Sequence, residues 1–171
     1  MIQKDSKGFT LVEILVYISI LTLLSFVAIS SIIVMGKSFR SFSTSRDITE
    51  AGTIAMERMV REIRTGTDID DANSVFNANP GQLALVTIDE FSGATSTSRF
   101  YISGGRLILL EATSTQMLTQ DEVTIGNLMF TKLINGSSTE GVMIKLSIRG
   151  GSGSSTRTEI FRGGAILRGE Y

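Results

Sequence analysis

From Ile14 to Met35 the chain reads ILVYISILTLLSFVAISSIIVM, with Gly36 following, and the run holds no charged residue and no Pro. Only a bilayer or a deep protein core accepts so long an apolar stretch. Drawn as an α-helix it extends roughly 33 Å at ~1.5 Å per residue, enough to cross a hydrocarbon layer of ~30 Å. Every face of that helix is apolar, and the remainder of a 171-residue chain is too small to surround it. The organisation implied is one membrane helix attached to one globular head. A conventional secretory signal is the competing reading, because Lys4 and Lys7 precede the run and Ala28-Ile29-Ser30 has a small-x-small form. Two features weigh against it. The run exceeds the ~7 to 15 residues of a signal's hydrophobic region, and a carboxylate, Glu13, stands immediately before it.

Composition narrows the function further. With no Cys the chain has no disulfide framework, zinc-thiolate site or redox pair, and with no His it has no imidazole-based triad or two-His metal motif. Catalysis by carboxylates, Lys, Ser or Tyr alone is what remains. A formal net charge of -1, from 16 basic and 17 acidic residues, creates no overall field that would steer the protein toward nucleic acid or acidic lipid. Partners are therefore recognised by shape and local contacts.

Glu13 is the most informative single residue. A lone carboxylate beside a lipid-facing helix costs ~2.5 to 3.5 kcal/mol if it must enter the bilayer centre, and less near the interface. It either marks the headgroup boundary or meets a cation within the same membrane. The segment Lys7-Gly8-Phe9-Thr10-Leu11-Val12-Glu13 closely resembles the processing and assembly motif of type IV pilins and type II secretion pseudopilins. In that family a short basic leader ends in Gly, a prepilin peptidase cuts after it, and the new N-terminal Phe is methylated. The resemblance thus implies cleavage between Gly8 and Phe9, N-methylation at Phe9, and an assembly salt bridge from Glu13 to the terminal amine of a neighbouring subunit. It also implies an inner-membrane, single-pass precursor with the leader in the cytoplasm and the head outside, later moving into a filament. Charge alone leaves the orientation open, since Lys4 and Lys7 are balanced by Lys37, Arg40 and Arg46 beyond the run.

Past Gly36 the chain turns polar, yet a helical stripe continues through Ile48, Ala51, Ala55, Met59 and Ile63, widened by Met56 and Val60. The pattern predicts a nearly continuous helix from Phe9 to Arg64, with Arg58, Arg61, Glu62 and Arg64 on or beside its wet face and Thr65-Gly66 as its stop. Ser30-Ser31 and Gly36 are the candidate weak points. Short apolar or alternating runs then predict strands at Leu83 to Ile88, Arg99 to Ile102, Arg106 to Glu111, Leu128 to Ile134, Val142 to Ile148 and Thr158 to Phe161. Ser103-Gly104-Gly105 reads as a tight hairpin connection, residues 135–141 as a longer one, and the Gly/Ser tract 150–155 as a flexible loop. The expected fold class is α+β, a helical spine packed on an antiparallel sheet. Its parts are a leader (1–8), a hydrophobic assembly helix (9–36), an amphipathic continuation (37–66) and a β-rich head (67–171).

Other motifs fail on spacing. Gly36-Lys37-Ser38 ends like a phosphate loop, but Ser31 occupies the required upstream Gly position, inside the apolar run. Gly151-Ser152-Gly153 begins a dinucleotide fingerprint whose third Gly is replaced by Thr156. Asp68, Asp70, Asp71 and Asn73 offer oxygen ligands, yet Ala72 breaks the calcium-loop spacing and no Gly stands at the turn position. Asp121 and Glu122 are adjacent and point apart in a strand, so they make a poor acid-base pair. No enzyme activity, cofactor or metal is expected, and no basic aromatic stripe supports nucleic-acid binding.

The resemblance implies a minor pilin or pseudopilin that starts or caps a short type IV pilus or type II secretion pseudopilus. Its implied partners are the prepilin peptidase, major and minor pilins, membrane lipid and an inner-membrane assembly platform driven by a separate ATPase. The final segment from Thr158 to Arg168 is loosely similar to that of J-type pseudopilins and related minor pilins. The rival reading is a single-pass anchored binding or adhesion module, for which Glu13 would be dispensable. A carboxylate-only hydrolase is a third, requiring a deep pocket with two facing carboxylates.

Overall fold

A computed structural model describes residues 8, 10–88, 93–112, 114–135, 139–153 and 156–168. One helix, α1 (Leu11–Thr65), opens the chain, which divides into two compact units at residues 40 and 41.

In the first unit, residues 11–36 of α1 are exposed almost throughout, and none of them is buried against the described residues. This stretch is long and apolar enough to cross a membrane. Four of its Ser and Thr hydroxyls are satisfied within the helix itself. Ser19 donates to the Leu15 carbonyl at 2.8 Å, Thr22 to Ser19 at 2.9 Å, Ser25 to Leu21 at 2.8 Å and Ser31 to Val27 at 2.9 Å. Such back-bonding removes the penalty a free hydroxyl would incur in lipid. Helical structure continues through both expected weak points, Ser30-Ser31 and Gly36.

The second unit holds the rest of α1 and two antiparallel sheets. Five strands form the first sheet in chain order, namely β1 (Asp68–Ile69), β2 (Leu83–Ile88), β3 (Thr95–Ser103), β4 (Arg106–Glu111) and β5 (Ser114–Met117). The second contains β6 (Val123–Asn135), β7 (Thr139–Gly150) and β8 (Arg157–Ile166). A 3-10 turn at Asp71–Asn73 follows β1. The α+β expectation is met, with its single sheet resolved into two that share one core. That core takes Ile48, Ala55, Met59 and Ile63 from the helix, Leu83, Leu85, Phe100, Leu107 and Leu109 from the first sheet, and Leu128, Phe130, Val142, Ile144, Leu146 and Ile148 from the second. Each fully buried aliphatic side chain contributes about 1.5 to 3 kcal/mol.

All six expected strands are present, and where the observed ones are longer a physical reason is visible. In β6, Val123 and Ile125 are buried at odd positions whereas Leu128 and Phe130 are buried at even ones. The register slips between Ile125 and Asn127, so Gly126 is a bulge that returns both halves to the same face. Alternation thus breaks at Gly126, which hides the first part of the strand from a period-two reading. In β8 the inward positions include Gly163 and Ala165, residue types that do not announce a strand. Gly163 is small because the helix lies against it. A Cβ at Gly163 would come 2.6 Å from the Met56 methyl, and one at Gly52 would come 2.2 Å from the Phe161 ring.

The hairpin at Ser103-Gly104-Gly105 forms as expected, with Gly104 and Gly105 at φ 58° and 76° between β3 and β4. Two consecutive left-handed residues suit the twist of the paired strands, and only Gly adopts that conformation freely. Pairing of β6 with β7 reaches Asn135 and Thr139, which shortens the expected connection; residues 136–138 lie outside the described set, as do 154 and 155 of the expected Gly/Ser loop. The charged run at the end of α1 is not uniformly wet. Arg61 and Arg64 are exposed, but Arg58 and Glu62 are half-buried because Glu111, at the end of β4, draws Arg58 toward the sheet.

Candidate functional site

The sequence singles out Gly8, Phe9 and Glu13, and local structure explains how the last of these is held. Thr10 caps α1, its side-chain oxygen accepting from the Glu13 amide at 3.3 Å while its carbonyl accepts from Ile14 at 3.2 Å. Thr10-Leu11-Val12-Glu13 therefore has the spacing of a capping box, in which the cap residue and the third helical residue face each other. Instead of reaching back to the cap, the Glu13 carboxylate accepts a hydrogen bond from the Tyr17 hydroxyl at 3.0 Å. Residues four apart share a helix face, and a long aromatic side chain leans toward the N-terminal turn, so Tyr17 is suited to this donation. The bond leaves Glu13 half-buried in an otherwise exposed segment.

Thr10 and Tyr17 are the site residues that motif reading missed. Both have local signals, the T-x-x-E spacing and an i,i+4 donor to Glu13. Gly8 is exposed, outside the helix, with open space around the position a Cβ would take. Phe9 lies outside the described residues. A helix start also concentrates unpaired amide N–H groups and the positive end of the macrodipole, which favour a negative charge at Glu13.

Elsewhere the polar clusters tie elements together. Lys132 donates to Asp71 at 2.8 and 3.0 Å and pairs with Glu140 at 2.9 Å, linking the 3-10 turn to both long strands. Burial disfavours the Lys132 ammonium, but the hydrogen bonds it donates to Asp71 and Glu140 outweigh this and raise its pKa above the usual 10.5. Arg58 joins Glu62, at 3.2 Å, to Glu111. Burial raises the Glu62 pKa; Arg58 opposes this and the neighbouring Glu111 adds to it. The oxygens of Asp70 accept from the Asn73 side chain at 2.7 Å and its amide at 3.1 Å, and the side-chain bond is the main reason the Asp70 pKa is lowered. Asp121 turns to Arg106 while Glu122 lines a different hollow. Two small surface hollows in the head measure about 40 and 100 Å³, below the ~300 Å³ at which small-molecule pockets begin.

Residues 3–29 match a family described as the prokaryotic N-terminal methylation motif. No curated protein and no solved structure matches the chain.

Proposed function

Because this chain carries the N-terminal methylation motif of type IV pilin-like proteins, we propose that it is a structural subunit, a minor pilin or pseudopilin, that assembles through the start of its apolar helix. A prepilin peptidase cuts between Gly8 and Phe9, and Phe9 is then methylated. The cut exposes an ammonium at Phe9, one residue before the Thr10 cap, beside amide N–H groups that make an added positive charge unwelcome there. A carboxylate from a neighbouring subunit relieves this, and Glu13 is the carboxylate each subunit has to offer. In a low-dielectric setting the two charges attract far more strongly than in water. Leaving either one buried and unpaired costs ~3 to 5 kcal/mol, so the pair selects register even where it adds little net stability. Tyr17 keeps Glu13 hydrogen-bonded until that partner arrives.

The boundaries 1–8, 9–36, 37–66 and 67–171 follow this reading as leader, assembly helix, amphipathic continuation and head. The precursor sits in the inner membrane with its leader cytoplasmic, and enters a pilus or pseudopilus near its start or tip with other pilins and an assembly platform. The single observation that carries the proposal is the motif match over residues 3–29, which contains Gly8, Phe9 and Glu13 together. Intact mass and N-terminal sequencing of protein from membranes, with and without the peptidase, test it. A mature chain starting at methylated Phe9 is expected. Normal function with residues 1–8 still attached would end the proposal, and a start at Ser31 would indicate ordinary secretion instead.

A further inference from the structure

The outer face of the three-stranded sheet is basic, partly apolar and free of acid. Side chains of β7 and β8 that point away from the core include Lys145, Arg149 and Arg162, all exposed, interspersed with Met143, Ile160 and Ile166 at 48, 55 and 61% exposure. Among the described residues, no Asp or Glu occupies an outward position on this sheet and none of the three cations forms an ion pair. Lys145 and Arg162 stand directly opposite each other in the β7–β8 register. Like charges placed so are destabilising within a sheet, and an acidic partner removes the repulsion.

The same head carries a surface of the complementary kind. Between α1 and the segment joining β5 to β6, the acids Asp47, Glu50 and Glu122 border a hollow that is lined also by Ala51, Ile54 and Leu118. The helix lies against the inner face of the three-stranded sheet, where Ile48 meets Gly150 and Gly52 meets Phe161. The acidic hollow and the basic outer face therefore open on different sides of the head.

We propose that these surfaces bind each other between two copies of this chain, the Lys145–Arg149–Arg162 face of one docking on the Asp47–Glu50–Glu122 hollow of the next. Two different patches make a heterologous contact, which in a pair leaves one patch of each kind unoccupied. The proposal deepens the reading of the chain as a filament subunit and rests on it, since it names the partner of the head.

The chain has no native Cys, so engineered disulfides report the contact in the full-length protein. Separately tagged copies bearing Ser147→Cys, on the basic face, and Gln120→Cys, beside the acidic hollow, are co-produced in membranes and oxidised. A mixed cross-link is expected, with each variant alone giving at least tenfold less dimer. Lys145→Glu with Arg162→Glu should abolish it, as should Asp47→Lys with Glu50→Lys, and combining all four changes should restore it. Circular dichroism melting checks that each variant is folded. A cross-link indifferent to the charge reversals, or one that the fourfold variant fails to restore while folded, overturns the proposal. So does a result in which the reversals weaken only the binding of phosphatidylglycerol vesicles, which would make the face a lipid surface. Repeating the cross-link on unprocessed chain in detergent separates the two readings. Failure of cleavage at Gly8 sinks the filament function, whereas failure of the charge swap in correctly processed protein sinks only this contact.

Discussion

Glu13 and Gly52 show how differently two single residues can be read. Glu13 is visible in the sequence because its chemistry contradicts its surroundings, a carboxylate at the edge of an apolar run. Its partner Tyr17 is a matter of helical spacing. Glu13→Ala should leave membrane insertion intact and block filament incorporation, measured as the fraction of subunit in sheared filaments; incorporation at the parental level would favour a simple tether. Tyr17→Phe removes only the hydroxyl that donates to Glu13 and should cause a smaller loss in the same assay. Gly52 gives no such signal. It is Gly because the Phe161 ring occupies the space of a Cβ, with ring carbons 2.2 to 2.5 Å away. Gly52→Ala should destabilise the head by about 1 to 3 kcal/mol through overpacking, read from urea unfolding in detergent. Adding Phe161→Leu should recover part of that loss, and an unchanged midpoint in Gly52→Ala would contradict the packing described.

Among the elements, periodic patterns were legible and interruptions were not. The stripe Ile48, Ala51, Ala55, Met59 and Ile63 is buried as its spacing predicts, because a helix face needs only local repetition. The first residues of β6 were missed because a bulge reverses the parity of alternation, and β5 was missed because all four of its residues are exposed. Deleting Gly126 should turn Val123 and Ile125 away from the core and cost about 3 to 6 kcal/mol, two aliphatic burials at about 1.5 to 3 kcal/mol each. Gly126→Ala is the control, since its added Cβ would come no nearer than 3.6 Å to Ser147, and should cost below about 1 kcal/mol. Equal losses for the two variants would show that the bulge does not set the register.

For the whole molecule, stability couples to charge where Lys132 ties β6 to Asp71 and Glu140. Its pKa is raised on folding, so its contribution is complete below the unfolded value and disappears as pH rises through the folded one. Lys132→Met should lower stability by about 1 to 3 kcal/mol near neutrality by leaving acceptors unpaired. The wild-type advantage in urea midpoint should then hold constant well below the usual pKa of 10.5 and shrink only as the pH rises above it; a gap that stays constant above that value would disprove the linkage. The full chain should also stay with the membrane pellet in an alkaline carbonate wash, since residues 11–36 are apolar, long enough to span a bilayer and unburied among the described residues. The sequence alone determined the apolar helix, its amphipathic continuation, six strands and the Gly8-Phe9-Glu13 motif, because each rests on residue types at short, regular spacing. Only the tertiary structure decided the division into two sheets, the bulge at Gly126, the fit of Gly52 and Gly163 to Phe161 and Met56, and the pairing of Arg58 with Glu111. Those features join residues far apart in the chain, and only the folded arrangement says which side chains meet.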